Sequence, residues 1–232
     1  MKVVLEIFNL SKRFAQIVAL KNISFKVYQG EIVGVIGANG SGKTTLLKVV
    51  VGLLKPTKGS VKVFGKSLED LSEADLYMIS YLPENPNMPS YLTGKDFIDV
   101  MASLLRIKTE DVMRLGYMFG LDPYIDRPIY TYSKGTRKKL ALATVLAKKS
   151  RLIVLDEPFE GLDASSIKSL KRILEEKSAK GNAVLLATHI VKDTLDLYDR
   201  VIILDRGKIS RICRRDEISV ELNDLMVYIH ES

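Results

Sequence analysis

Residues Gly37 to Thr44 have the sequence GANGSGKT and fit the pattern G-x-x-x-x-G-K-[ST]. An apolar run of strand length, Ile32 to Ile36, precedes them, and residues 45–54 have helical character. A strand that leads through such a loop into a helix predicts an α/β fold. A glycine-rich turn that holds no ligand is the alternative, but the order of strand, loop and helix favours a phosphate-binding loop.

The chemistry of this loop suits a nucleoside triphosphate. Its glycines leave the backbone free to curl, so that successive N–H groups point into a concave nest, and the helix adds its positive end. Lys43 supplies a mobile charge for the β- and γ-phosphates, and the Thr44 hydroxyl can ligate Mg²⁺. The loop therefore predicts ATP and Mg²⁺ as cofactors. The predicted nucleotide-binding residues of this segment are Gly37, Asn39, Gly40, Ser41, Gly42, Lys43, Thr44 and Thr45.

Two carboxylates follow a second apolar run. Residues 152–155 are apolar on both faces, which indicates a buried strand of a parallel sheet, and Asp156 and Glu157 stand at its C-terminal end. Ligands bind at that end in open α/β sheets. Asp156 is therefore predicted to hold Mg²⁺, and Glu157 to take a proton from the attacking water. A solvated turn is the alternative for an isolated Asp-Glu pair, and the phosphate loop favours the catalytic interpretation.

The segment Tyr132 to Lys138 precedes an amphipathic stretch with Leu140, Ala143 and Ala147 at helical spacing. This segment makes the pattern resemble the nucleotide-binding subunit of an ABC transporter. The motifs that occur in the family's order are the phosphate loop, Ser133-Lys134-Gly135, Asp156-Glu157, Gly161-Leu162-Asp163 and Thr188-His189. The resemblance covers nearly all of the 232 residues.

The resemblance implies that two cassettes close face to face, with the ATP on one phosphate loop covered by Ser133 and Gly135 of the other. An ordinary helix N-cap is the alternative role of Ser133, and one residue can fill both roles. Asp163 would lie at the dimer seam, or would simply cap the helix that follows it. Phe14 would stack on adenine, with a core phenylalanine as the alternative.

His189 corresponds to the family's switch histidine, which touches the γ-phosphate and steadies the catalytic glutamate, whereas His230 has no such context. The implied catalytic residues are Glu157, His189 and Lys43. The family usually has Leu-Ser-Gly-Gly-Gln where this chain has residues 132–136, and Lys134 adds a positive charge beside the triphosphate. The Ser-Lys-Gly form resembles ABC-2-type exporters, so export is favoured.

Glu84 stands where the family has a glutamine that touches Mg²⁺ and senses the membrane subunit. A carboxylate can also ligate this ion, so Glu84 is a predicted metal ligand. The resemblance places the docking site of a separate transmembrane permease near Glu84 to Leu92. Met88, Tyr91 and Leu92 are apolar groups there, which suggests a docking groove, although packing of these side chains within the protein is the alternative.

The organisation indicated is one cassette spanning residues 1–232, with a phosphate-loop NTPase core, an antiparallel β layer and an inserted α-helical lobe. Mixed patterning near 3–8, 22–27 and 60–64 predicts the antiparallel strands. Residues 1–83 and 150–232 form the core and this layer, with a tail from 209, and residues 84–149 form the helical lobe. Helices are predicted at 94–106 and 109–119.

No apolar run approaches the roughly 18 residues that cross a bilayer, and no signal-peptide pattern starts the chain. We therefore expect a cytoplasmic protein that is peripheral on the inner face of the membrane. Cys213 is the single cysteine, which excludes an intramolecular disulfide and favours a buried thiol.

The net charge of +7 keeps a nucleic-acid partner open, and an assembly scaffold is a third class. Basic clusters are more often solvated faces. ABC proteins of DNA repair carry a long coiled coil within the cassette, and ribosome-associated ones carry two cassettes in tandem. This sequence has neither feature, so nucleic acid is not the favoured partner.

Overall fold

The structure is a computed structural model that describes residues 2–191 and 193–218. The strands are β1 (Val3–Phe14), β2 (Ile17–Tyr28), β3 (Ile32–Ile36), β4 (Lys58–Val63), β5 (Lys66–Ser67), β6 (Ile79–Leu82), β7 (Leu152–Asp156), β8 (Ala183–Thr188), β9 (Arg200–Asp205) and β10 (Lys208–Arg214). The helices are α1 (Lys43–Val50), α2 (Glu73–Tyr77), α3 (Gly94–Leu104), α4 (Thr109–Met118), α5 (Lys134–Ala147), α6 (Ala164–Ala179) and α7 (Arg215–Ile218). Residues 219–232 of the predicted tail, with His230, lie outside the described residues.

A six-stranded sheet has the order β10-β9-β3-β8-β7-β6. Neighbouring strands from β9 to β6 run parallel, and every residue of β3, β7 and β8 is buried. Strands covered on both faces need apolar residues at every position, which explains the continuous apolar runs in the sequence. The α/β fold with a mostly parallel sheet is therefore confirmed.

A second, antiparallel sheet has the order β2-β1-β4-β5. Its strands β1 and β2 are each 12 residues long, longer than the predicted segments 3–8 and 22–27. The extra length could not be predicted from the sequence because the far end of this hairpin extends beyond the core. Phe14 is 42% exposed and Ile17 is 70% exposed, so the residues there do not alternate between apolar and polar as in a half-buried strand.

The predicted tail from residue 209 is wrong for its first six residues. Residues 209–214 belong to β10, which pairs antiparallel with β9 at the edge of the parallel sheet. Cys213 is the one fully buried side chain of this strand. A single inward residue among exposed ones leaves no alternating pattern, so propensity alone did not indicate a strand.

Alternate residues of β3 enter two hydrophobic cores. Ile32 and Ile36 join the core shared with helices α3 to α6, whereas Val33 and Val35 join the core between the two sheets. Helices α3 and α4 lie within the predicted segments 94–106 and 109–119. The exact division into a helical lobe at 84–149 and a core at 1–83 and 150–232 stays a prediction. Among the helices of the described residues, none combines the length and apolar character that a membrane crossing requires.

Candidate functional site

The phosphate loop follows β3 and needs glycine for backbone reasons. Gly40 and Gly42 have φ angles of 80° and 107°, in the left-handed region that favours glycine. A Cβ added at Gly37 would lie 2.2 Å from the carbonyl oxygen of Leu204 at the end of β9. The loop therefore curls tightly against the neighbouring strand, and α1 starts at the end of this curl.

Lys43 is the first residue of α1 and is only 6% exposed. Its Nζ donates hydrogen bonds to the carbonyl oxygens of Gly37 at 2.6 Å and Ala38 at 3.1 Å. The same atom lies 3.6 Å from Oε1 of Glu157. The ammonium thus joins the phosphate loop to the turn that follows β7.

Asp156 ends β7 and is fully buried. Its Oδ1 accepts a hydrogen bond from the Thr44 hydroxyl at 3.2 Å, while Oδ2 is buried without a hydrogen-bond partner among the described residues. Burial raises the pKa of Asp156 to about 6, the Thr44 hydrogen bond opposes the rise, and Glu157 and Glu84 add to it. A hard cation beside Oδ2 and the Thr44 hydroxyl would offset this charge, so the pair fits Mg²⁺.

Glu157 has a left-handed backbone, with φ at 47°. This conformation costs a residue with a Cβ about 1–2 kcal/mol, and such strain is frequent at functional sites. Its N–H donates to Ala187 O at 2.9 Å in β8, and its Oε2 accepts from the N–H of His189 at 3.2 Å. The His189 Nδ1 lies 2.9 Å from Oε2, although the ring is not oriented to hydrogen-bond with it.

Lys138 on α5 reaches the same turn, a contact that the sequence analysis did not find. Its side chain is 1% exposed, and its Nζ donates to the carbonyl oxygens of Glu84 and, at 3.1 Å, of Glu157. Burial lowers the pKa of Lys138, and the carboxylates of Glu160, Glu84 and Asp156 oppose that shift. Lys138 stands between Arg137 and Lys139 in the sequence, so no local signal distinguished it from an exposed basic run.

A cleft of about 680 Å³ opens over the phosphate loop at the carboxyl ends of β3, β7 and β8. Its lining brings together these predicted site residues: Asn39, Gly40, Gly42, Lys43, Thr44, Thr45, Glu84, Glu157 and His189. The lining residues that sequence reasoning missed include Ile17, Val18 and Arg206. Phe14 is not among the lining residues, and its exposure of 42% excludes the core alternative. Its stacking on adenine stays a prediction.

Ser133, Gly135 and Asp163 lie outside this cleft and form a second group. Ser133 caps α5, because its Oγ accepts a backbone N–H of the first turn at 3.0 Å. Asp163 caps α6 in the same way at 2.9 Å and pairs with Lys139. A Cβ at Gly135 would lie 2.3 Å from Gly161 O, so this glycine is required by packing. The capping alternatives are therefore correct as local structure, and the roles toward a second chain stay predictions.

The extra positive charge in this segment has a partner within the chain. Lys134 Nζ lies 2.7 Å from Oε1 of Glu160, a carboxylate that also lines the cleft. The ion pair is partly solvated, with the lysine side chain 57% exposed. Lys134 is therefore one member of an ion pair at the edge of the cleft, through Glu160, rather than an isolated charge.

The loop after β6 is less open than its sequence suggests. Met88 and Leu92 are half-buried and pack against the core that the helices share, which supports the packing alternative for these two side chains. Tyr91 is 78% exposed. One large side chain of the predicted docking segment is thus available to a partner.

Comparison with known proteins gives matches over nearly the whole chain. The family model for ABC transporters matches residues 20–160. An uncharacterized ABC transporter ATP-binding protein of Bacillus subtilis, YdbJ, is 38% identical over 209 residues, which are 89% of this chain and 68% of that protein. The lantibiotic transport ATP-binding protein SrtF of Streptococcus pyogenes is 30% identical over 88% of each chain. A solved structure of the ATP binding subunit of an ABC transporter has a TM-score of 0.85 at 29% identity, covering 97% of this chain and 98% of that one.

The matched region contains the phosphate loop, the Ser133-Lys134-Gly135 segment and the Asp156-Glu157 pair. These similarities confirm the resemblance that the order of the motifs indicated. The chain therefore belongs to the ATP-binding subunits of ABC transporters, whose cassettes bind and hydrolyse ATP.

Proposed function

We propose that this chain hydrolyses Mg²⁺-bound ATP in the described cleft, with Glu157 as general base. The observation that carries the proposal is the convergence of Lys43, Thr44, Glu157 and His189 on one cleft. The loop N–H groups and Lys43 would hold the β- and γ-phosphates. Glu157 would take a proton from the water whose oxygen bonds to the γ-phosphorus, and ADP leaves with the electrons of the broken P–O bond.

The positions of His189 and of the proposed Mg²⁺ ligands also support this mechanism. The contacts of His189 with the Glu157 carboxylate support its role in orienting the base and the γ-phosphate. Thr44 and Asp156 would hold Mg²⁺, and Glu84, which lines the cleft, would offer a further oxygen ligand. The ion would offset negative charge on the phosphates when it is bound with ATP. Gly37, Ser41 and Phe14 are proposed contacts outside the cleft lining.

We propose that a second cassette completes the site. Ser133, Gly135 and Asp163 do not line the cleft of their own chain, which supports a role toward the ATP of a partner. A hydroxyl and a helix N-terminus suit the γ-phosphate, since both offer hydrogen-bond donors. The partner can be a second copy or a related cassette.

We also propose that a transmembrane permease docks near Glu84 to Leu92 and that the assembly exports its substrate. The exposed Tyr91 supports the docking site, and the likeness to a lantibiotic transport protein agrees with export. Such a subunit would lie in the cytoplasm against the inner face of the membrane. Nucleic acid is not part of this proposal.

Glu157→Gln tests the catalytic assignment directly. We expect turnover to fall by roughly 100-fold or more while ATP still binds, because the phosphate loop and Mg²⁺ ligands remain. Bound ATP should then hold two chains together, which gel filtration with and without ATP would detect. Glu175→Gln on the exposed face of α6 serves as the matched control and should behave as wild type. Near wild-type hydrolysis by Glu157→Gln would remove Glu157 from its role.

A further inference from the structure

Lys138 is a fully buried ammonium whose acceptors belong to two different segments. One acceptor is the carbonyl oxygen of Glu84, just after β6, and the other is that of Glu157, just after β7, at 3.1 Å. Lys138 itself lies on α5, so a single Nζ joins three elements around the cleft. Within the described part of the chain, no carboxylate oxygen lies close enough to this ammonium to form an ion pair.

A buried charge without an ion-pair partner is a costly way to fill a core position. A methionine of similar length would occupy the same space without the desolvation that the ammonium suffers. The ammonium offers three N–H donors, and here two of them meet main-chain carbonyls. The Glu157 carbonyl also accepts a longer bond from the N–H of Glu160 at 3.3 Å, so the lysine supplies its shorter contact. The buried charge at this position therefore points to a need for those two backbone positions to be fixed.

The backbone of Glu157 is the position with the most to gain from such support. Its left-handed conformation persists only if its surroundings hold it there. The N–H of Glu157 donates to Ala187 O in β8. The C=O of Glu157 accepts from Lys138 Nζ at 3.1 Å and from the Glu160 N–H at 3.3 Å. Both sides of the strained residue are thus anchored, and of these three partners Lys138 is the one that ties it to a helix.

We propose that Lys138 is a positioning residue for ATP hydrolysis, whose ammonium holds the turn at Glu157 and the start of the 84–92 loop in fixed relation to each other. Its effect on the reaction passes through the direction of the Glu157 carboxylate, so the inference rests on the proposed role of Glu157 as general base. Lys138 makes no contact with the phosphates in this scheme. Lys138 positions the Glu157 carboxylate, and ATP binding depends on other residues.

The chain supplies a matched control in Lys148, which directly follows α5. Lys148 is 8% exposed, and its Nζ donates to the carbonyl oxygen of Ile79 at 2.7 Å. Burial also lowers the pKa of Lys148. Both lysines therefore connect the region of α5 to that of β6 by a hydrogen bond to a main-chain carbonyl. Lys138 bonds to Glu84 just after β6, next to the cleft, whereas Lys148 bonds to Ile79 at the opposite end of the strand. If the role of Lys138 were purely structural, replacing either lysine would change thermal stability and kcat to a similar extent.

The experiment compares Lys138→Met with Lys148→Met in the full chain by steady-state ATPase kinetics and thermal melting. We expect kcat of Lys138→Met to fall about 10-fold or more, with KM for ATP within about 3-fold of wild type, since an interaction that serves only the reacting state lowers kcat. Lys148→Met should lose comparable thermal stability and keep kcat within about 2-fold. Unchanged kcat in Lys138→Met, or equal kcat losses in both variants, would overturn the proposal.

A second pair covers the case in which Lys138→Met does not fold. Lys138→Gln keeps two N–H donors on a slightly shorter side chain, so kcat should fall only about 3-fold, while Lys148→Gln keeps wild-type kcat. Equal kcat in these two glutamine variants would refute the positioning role.

Glu157→Gln separates this proposal from the general-base assignment on which it rests. If Glu157→Gln is inactive and Lys138→Met is fully active, only the positioning role fails. If Glu157→Gln stays active, the base assignment itself fails. In single-turnover assays Lys138→Met should add little to the loss in Glu157→Gln, because residues that act as a unit are not additive. A full multiplicative loss in the double variant would count against Lys138.

Discussion

Replacing Gly135 with alanine should destabilise the protein, although the residue lies in a helix where alanine is normally preferred. Gly135 is the second residue of α5, and an added Cβ would lie 2.3 Å from Gly161 O. Real Cβ atoms do not approach a carbonyl oxygen this closely, so α5 and the loop before α6 would have to separate. The acceptor is backbone, which cannot swing away as the end of a long side chain can.

The expected size follows from two opposing terms. Helix propensity favours alanine over glycine by about 1 kcal/mol, whereas overpacking costs about 1–3 kcal/mol. We expect a net destabilisation of about 1 kcal/mol, which lowers the Tm of a chain of this length by about 2–4 °C. ATP turnover should fall as well, because the displaced turn carries Ser133.

Gly116→Ala on α4 is the matched control for this measurement. Its added Cβ would lie 3.5 Å from Leu121 Cδ1, an ordinary van der Waals distance. This variant should gain roughly 0.4–1 kcal/mol, because alanine restricts the unfolded chain. Differential scanning calorimetry should therefore show a lower Tm for Gly135→Ala and a higher Tm for Gly116→Ala. An unchanged or raised Tm for Gly135→Ala, with ATPase lost, would show that the glycine is needed for a ligand contact instead of for packing.

Three further predictions test other parts of the site. Mixing Ser133→Arg with Lys43→Ala protein should partly restore ATPase activity that each variant lacks alone, since one site of the heterodimer then carries no lesion; a mixture that stays inactive at pairing concentrations contradicts the composite site. Asp156→Asn should raise the Tm of nucleotide-free protein in EDTA at pH 8, because burial raises the pKa of Asp156 to about 6 and its charge therefore opposes folding above that pH; an unchanged or lower Tm counts against that burial cost. Tyr91→Ala should leave basal ATPase and Tm unchanged while reducing recovery of a membrane partner from detergent extracts, with Tyr117→Ala, 56% exposed on α4, as the control; equal recovery with both variants argues against docking at this loop.

The sequence was most informative where one local pattern determines both conformation and chemistry. The backbone conformation of the phosphate loop requires glycine at set positions, so the glycine pattern identifies the loop. The residues of β7 before Asp156 are apolar at every position because both faces of the strand are covered. Such segments can be located without tertiary information. The order of these motifs along the chain then carried the family assignment.

Other features depend on contacts between distant segments and leave weak local signals. β10 has a single fully buried residue, so its pairing with β9 decides its conformation. Ile17 and Val18 resemble ordinary exposed hairpin residues until the fold places them beside the phosphate loop. The packing of Met88 likewise depends on helices that follow it in the chain. In each case, tertiary structure overrides what local propensity indicates.

Helix α5 brings the two proposed halves of the ATPase mechanism onto one rigid element. Ser133 caps its N-terminus, and Lys138 lies five residues later, which is roughly 7.5 Å along the axis at 1.5 Å per residue. The group offered to a partner's ATP and the group that holds the chain's own Glu157 cannot shift independently over such a short helical distance. Any displacement of α5 that carries Ser133 toward a partner must therefore also act on the carbonyl oxygens of Glu84 and Glu157. If the proposed roles of Ser133 and Glu157 hold, closure of the dimer and alignment of the general base would therefore be mechanically linked through Lys138.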